Sequence, residues 1–90
     1  MMIKVRKVES LGDYTLRVWF SDGSVGDWDH SDIRSATGPI AVPLHDPAYF
    51  ARVFVEDGAL VWPNGYDVCP VTLHGKLQAA GALQTIVAAQ

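Results

Sequence analysis

The sequence predicts an α+β domain: an antiparallel sheet of four to five strands built from two hairpins, with a short helix between them and a C-terminal helix. Apolar and β-branched residues alternate before an Asp22-Gly23 turn, and a second apolar pair of segments flanks Asp57-Gly58. Asp46-Pro47 has the chemistry of a helix start. From Val71 onward the apolar spacing lengthens to three and four residues, the period of a helix.

Ile3, Val5 and Val8 mark a first strand. Tyr14-Thr15-Leu16-Arg17-Val18-Trp19-Phe20 is the clearest strand, rich in aromatic and β-branched residues. Tyr14, Leu16, Val18 and Phe20 share one face; Thr15, Arg17 and Trp19 share the other. Ser21-Asp22-Gly23-Ser24 then turns the chain into Val25-Gly26-Asp27-Trp28. A two-residue turn would set Leu16 against Asp29 and Val18 against Asp27. A three-residue loop with Gly23 left-handed sets Leu16 against Trp28 and Arg17 against Asp27, and this register is the one expected.

Ser31-Asp32-Ile33-Arg34-Ser35 reads as a short helical turn with Ser31 as its N-cap, closed by Gly38-Pro39. After Asp46-Pro47 a helix carries Ala48 to Arg52, presenting Phe50 and Val53 inward. Val53-Phe54-Val55 and Leu60-Val61-Trp62 form the second hairpin, apolar on both faces and therefore expected near the middle of the sheet. Leu73, Leu77, Ala80, Leu83 and Val87 form the stripe of the last helix, with Thr72 as a cap and Gly81 as a weak point. Its outer face is rich in Gln and Ala, with Lys76 the sole charge, and is open to a partner.

Ninety residues make one domain, with enough apolar content (49%) for one modest core. No apolar run approaches the roughly 20 residues that cross a bilayer, so no membrane partner is expected. The N-terminus alternates charged and apolar residues, unlike a signal peptide. Cys69 is the single cysteine, which excludes an internal disulfide and points to the cytoplasm. The formal charge of −3 disfavours nucleic acid as a direct partner. Lys4, Arg6, Lys7 and Arg17 precede Asp27, Asp29 and Asp32; cross-strand pairing is expected, a basic docking strip being the other reading.

No motif fixes a reaction, so no enzymatic activity and no cofactor are expected. Asp27, Asp29, His30 and Asp32 hold metal-ligating atoms, but strand alternation points the two Asp side chains one way and His30 the other. Cys69 and His74 could form a nucleophile and base, yet Cys69 between Val68 and Pro70 reads as a buried thiol and His74 as exposed. There is no G-x-S-x-G elbow and no phosphate-cradling loop. Trp28 and Trp62 are expected to anchor the core. Trp19, opposite Leu16 and Val18, is an exposed anchor if no helix covers its face.

Trp62-Pro63-Asn64-Gly65-Tyr66-Asp67 goes beyond the needs of a turn, with a bulky Trp before the bend and an Asp after it. With the Tyr14-x-Leu16-x-Val18-x-Phe20 strand and the Leu44-x-Asp46-x-x-x-Phe50 segment, it resembles a family of small bacterial proteins, domain of unknown function 2442. The resemblance covers about residues 5–75, leaving about 76–90 as a helical extension of a single 1–90 domain. It implies a compact α+β fold and carries no accepted enzymatic activity. It also implies a small protein partner encoded next door, as in a toxin–antitoxin or similar two-protein unit. On that pattern Trp62 fills the core, Asn64 and Gly65 make the turn, and Asp67 accepts backbone N–H groups.

The expected function is therefore a non-catalytic interaction module, with Trp19, Arg17, Trp62, Asn64, Tyr66 and Asp67 as candidate interaction or signature residues. The alternative is a small-molecule or nucleic-acid binding domain using the sheet face around Trp19 and Arg17. An exposed edge strand and the apolar last helix both permit a homodimer.

Overall fold

The computed structural model describes residues 2–85. Three strands open the chain as a meander: β1 (Val5–Gly12), β2 (Thr15–Phe20) and β3 (Ser24–Asp29). Two 3-10 turns, Ser31–Ser35 and Val42–His45, lead to α1 (Pro47–Phe50). Then come β4 (Phe54–Glu56), β5 (Ala59–Val61), β6 (Asp67–Val68), α2 (Pro70–Ala79) and β7 (Leu83–Thr85). The class is α+β, and every strand pairing is antiparallel.

The strands divide between two sheets, ordered β1-β2-β3-β7 and β4-β5-β6. The second hairpin therefore centres its own small sheet rather than the larger one, and Phe54 on β4 is left 41% exposed. Its strands are only three residues long, too short to extend across the longer meander. The sheets meet where the Val5 amide donates to the Gly58 carbonyl at 2.8 Å.

The first hairpin adopts the expected register, Leu16 against Trp28 and Arg17 against Asp27. Gly23 has φ +86°, and the Asp22 carboxylate accepts from the Ser24 amide (3.0 Å) and hydroxyl (2.6 Å). Alternation along β2 buries Leu16, Val18 and Phe20. Tyr14 lies outside the strand, in the Asp13-Tyr14 turn, at φ +61°. That conformation is strained for a bulky residue. Its ring packs edge-on against Phe50 at 5.3 Å and its hydroxyl donates to the His45 carbonyl, contacts that hold it there.

The Ser31–Ser35 turn is preceded by His30, not capped by Ser31. Asp29 supplies the acceptor instead, taking the Ser31 amide at 2.8 Å. Asp46 caps α1 by accepting from Ala48, with Pro47 at the first position, as expected. This helix ends at Phe50, shorter than the span to Arg52.

The largest departure is at the C-terminal end. Helix α2 stops at Ala79, and Gly81 takes φ +69°. Ala82 donates back to the Leu77 carbonyl (2.8 Å) and Gly81 to that of Gln78 (3.1 Å), the paired bonds of a Schellman cap. Leu83 then joins β7 against β3 rather than continuing the helix. The extension expected to be helical is thus part helix and part strand, and the Val87 position lies outside the described residues. Thr72 lies inside α2, and Cys69 occupies the N-cap position. The core gathers Leu16, Val18, Phe20, Leu44, Phe50, Leu60, Trp62 and Leu73, all under 3% exposed.

Candidate interaction surface

The face of the larger sheet opposite the core is built by alternation, shifted by one residue where β1 breaks register between Val5 and Lys7. Pairing aligns Lys7, Trp19, Val25 and Gln84 in one cross-strand row, and Glu9, Arg17 and Asp27 in the next. Among the described residues none of these side chains is buried. Arg17 grips Asp27 with two bonds, Nε to Oδ1 at 2.8 Å and Nη2 to Oδ2 at 3.1 Å. That hydrogen bonding raises the Arg17 pKa and lowers that of Asp27, so both groups stay charged and mutually neutralised.

Trp19 is half-buried, and the Lys7 ammonium stands 4.7 Å from the centre of its ring. Two shallow recesses share this Trp. One, of about 460 Å³, is lined by Arg17, Trp19, Val25, Gly26, Asp27, Ala82 and Gln84. The other, about 270 Å³, is lined by Arg6, Lys7, Trp19, Phe20, Gly23 and Ser24. Trp19 and Arg17 are thus brought together on an open face, as their strand position predicts.

The other candidate residues lie at a separate place. The Trp62 carbonyl accepts from Gly65 (2.9 Å), and the Trp62 amide donates to Tyr66 (2.9 Å). Trp62 is fully buried, with Nε1 donating to the Phe50 carbonyl at 2.8 Å. Asn64 clamps the bend: Oδ1 accepts from the Tyr66 amide (3.1 Å) and Nδ2 donates to the Ile40 carbonyl (2.8 Å). Asp67 does not perform that task. It is exposed, and among the described residues its carboxylate accepts no hydrogen bond. Asn64, within the bend and three residues before Asp67, reaches those backbone groups instead.

Tyr66 links this turn to His30, which the sequence presented only as one of four possible metal ligands. Its hydroxyl lies 3.0 Å from His30 Nε2, and His30 Nδ1 lies 2.9 Å from Asp32 Oδ1. An ionised carboxylate only accepts, so Nδ1 carries a proton, and in the neutral ring that burial favours Nε2 accepts from the Tyr66 hydroxyl. Trp28 stacks on the imidazole at 4.1 Å. Burial lowers the His30 pKa, opposed by Asp32. Burial also raises the Tyr66 pKa, which keeps its hydroxyl a donor and a poor nucleophile. The one available signal was strand alternation, which turned His30 away from Asp27 and Asp29.

Cys69 and His74 do not form a pair. His74 Nε2 meets Asp22 Oδ2 at 2.9 Å and its ring packs edge-on against Phe20, so His74 is mostly covered rather than exposed. Cys69 is exposed instead of buried, its thiol pKa lowered by hydrogen bonding from Thr72. Among the described residues no three His, Cys, Asp or Glu side chains converge as metal ligands, and no helix is long and apolar enough to cross a membrane.

Residues 5–77 match the family model described as Protein of unknown function (DUF2442). No curated protein and no solved structure matches the chain.

Proposed function

The chain belongs to the DUF2442 family, and we propose that it works as a non-catalytic protein-interaction module in the cytosol, the regulatory or antitoxin-like member of a two-protein unit. The observation that carries this reading is Trp19, half-buried on an open sheet face between two recesses. A large aromatic side chain in that setting offers contact area at little entropic cost, as interface anchors do. The separate roles of Cys69 and His74 support the non-catalytic part.

The test compares tagged wild-type chain with Trp19→Ser in lysate of the source cell, read by mass spectrometry. One stoichiometric partner held by the wild type and lost with Trp19→Ser is the expected result, with the product of a neighbouring gene the leading identity. Capture of no partner overturns the module reading, and equal capture by both chains overturns Trp19 as its anchor.

A second reading has its own observation. The recess of about 460 Å³ falls within the roughly 300–1,000 Å³ of small-molecule pockets. A compound that raises the melting temperature of the wild type but not of Trp19→Ser would favour that reading.

A further inference from the structure

Strand β1 breaks register between Val5 and Lys7: Val5 faces Phe20 and Lys7 faces Trp19, leaving Arg6 as an extra residue. Such a bulge bends the strand and re-aims side chains. Strict alternation would send Arg6 and Lys7 to opposite faces. Here both line the recess of about 270 Å³ beside Trp19 and Phe20.

These cations are not spoken for within the fold. The expected cross-strand pairing is realised for Arg17 and Asp27, but among the described residues no carboxylate lies within 4.0 Å of Lys4, Arg6 or Lys7. Arg6 and Lys7 therefore set two cations without an ion-pair partner beside Trp19, with Glu9 in the next row of the same strand, on a chain whose formal net charge is −3. Across Trp19 the opposite recess is charge-balanced by the Arg17–Asp27 pair. The face is thus polarised, with an apolar ring between a basic flank and a neutral one.

We propose that the occupant of this face is an acidic protein segment. Its apolar side chain packs beside Trp19, and its carboxylates are met by Arg6 and Lys7. This deepens the interaction-module reading and rests on it. Arg6 is suited to a two-pronged carboxylate contact and Lys7 to a point-charge contact, now directed at the Trp19 ring. A phosphate backbone suits the strip less well, since few cations and one aromatic ring on an acidic chain give little counterion release.

The test is selection from a random displayed-peptide library on the wild-type chain, with counter-selection on Trp19→Ser. Recovered peptides are synthesised and their affinities measured by fluorescence anisotropy at low and moderate salt. The expected winners carry Asp or Glu beside Leu, Phe or Trp. Their affinity falls at least tenfold in Arg6→Glu and Lys7→Glu, weakens with salt, and is unchanged in Lys76→Glu, an exposed cation elsewhere. Replacing the peptide acids with Lys restores binding to the reversed chains, an outcome that general unfolding cannot produce.

Winners without acidic residues, or insensitive to both reversals, overturn the acidic segment while leaving the module reading intact. Displacement by single-stranded DNA, or a homodimer disrupted by Arg6→Glu, gives the face to another occupant and overturns it too. A library that yields no Trp19-dependent peptide also counts against it, whereas the lysate capture decides the module reading separately.

Discussion

The Tyr66 hydroxyl lies 3.0 Å from Nε2 of His30, a residue thirty-six positions earlier. The bond ties the bend of the family signature to the end of β3, with Asp32 holding the other ring nitrogen. In the neutral imidazole that burial favours, Nδ1 donates to Asp32 and Nε2 accepts from Tyr66.

Stability should therefore depend on pH near neutrality. Burial lowers the folded-state pKa of His30 below 6.5; Lys76 acts in the same direction, while Asp32 and Asp29 oppose it. The unfolded chain then binds the proton more readily, so this contribution is complete above about pH 6.5 and is lost as pH falls from there to the folded pKa. The melting temperature should drop between about pH 7.5 and pH 5, and the drop should shrink in His30→Gln. A wild-type melting temperature that climbs on acidification would refute the assignment.

Trp62 is the largest fully buried side chain and also satisfies the Phe50 carbonyl. Trp62→Ala should cost about 3–5 kcal/mol by urea unfolding, a large share of the stability of a small domain. Trp62→Phe should lose about 1–3 kcal/mol through the orphaned carbonyl. A cost below about 1 kcal/mol for the alanine variant would mean the core does not depend on it.

Asn64 and Asp67 should separate cleanly. Asn64 bonds both Ile40 and Tyr66. Its replacement by Ala should cost about 1–3 kcal/mol. Asp67→Ala should stay within about 0.5 kcal/mol of wild type, as exposed substitutions do. Reversed magnitudes in thermal melts would return the turn to Asp67.

Cys69 should react with a disulfide reagent at one equivalent per chain without denaturant, because it is exposed. Thr72→Val should slow this reaction, since the Thr72 polar groups hold the thiol pKa down. Equal rates in both chains would show that the hydroxyl adds nothing.

Gly26 lets β7 and α2 close on β3. A Cβ there would stand 3.0 Å from the Ala82 carbonyl oxygen, a backbone atom that cannot swing aside. Gly26→Val should cost about 1–3 kcal/mol and speed amide exchange across Leu83–Thr85. Unchanged exchange would indicate that β7 docks without this close approach.

What the sequence made legible was local. The 22–23 turn set the first hairpin because only one loop length places apolar against apolar and cation against anion. Asp46-Pro47 announced α1 through its own cap. Leu83 misled, because its three-residue step from Ala80 also fits a helical stripe; the left-handed Gly81 that ends α2 looked like a mid-helix penalty. The role of His30 was hidden because its partner Tyr66 comes from a distant turn, and the resemblance gave Asp67 the backbone groups that Asn64 reaches. Tyr14 shows the same limit, its turn conformation fixed by contacts with Phe50 and His45.

The family match ends at residue 77, whereas Ala82 and Gln84, which wall the larger recess, lie beyond it. The floor of that recess comes from strands whose other face is the core, so changing the floor endangers folding. Its wall is a short edge strand carrying an exposed Gln84. Substitutions at the wall can therefore reshape the recess while leaving the buried floor alone. The placement of three residues, Leu83–Thr85, thus separates the shape of the recess from the strands that carry the core.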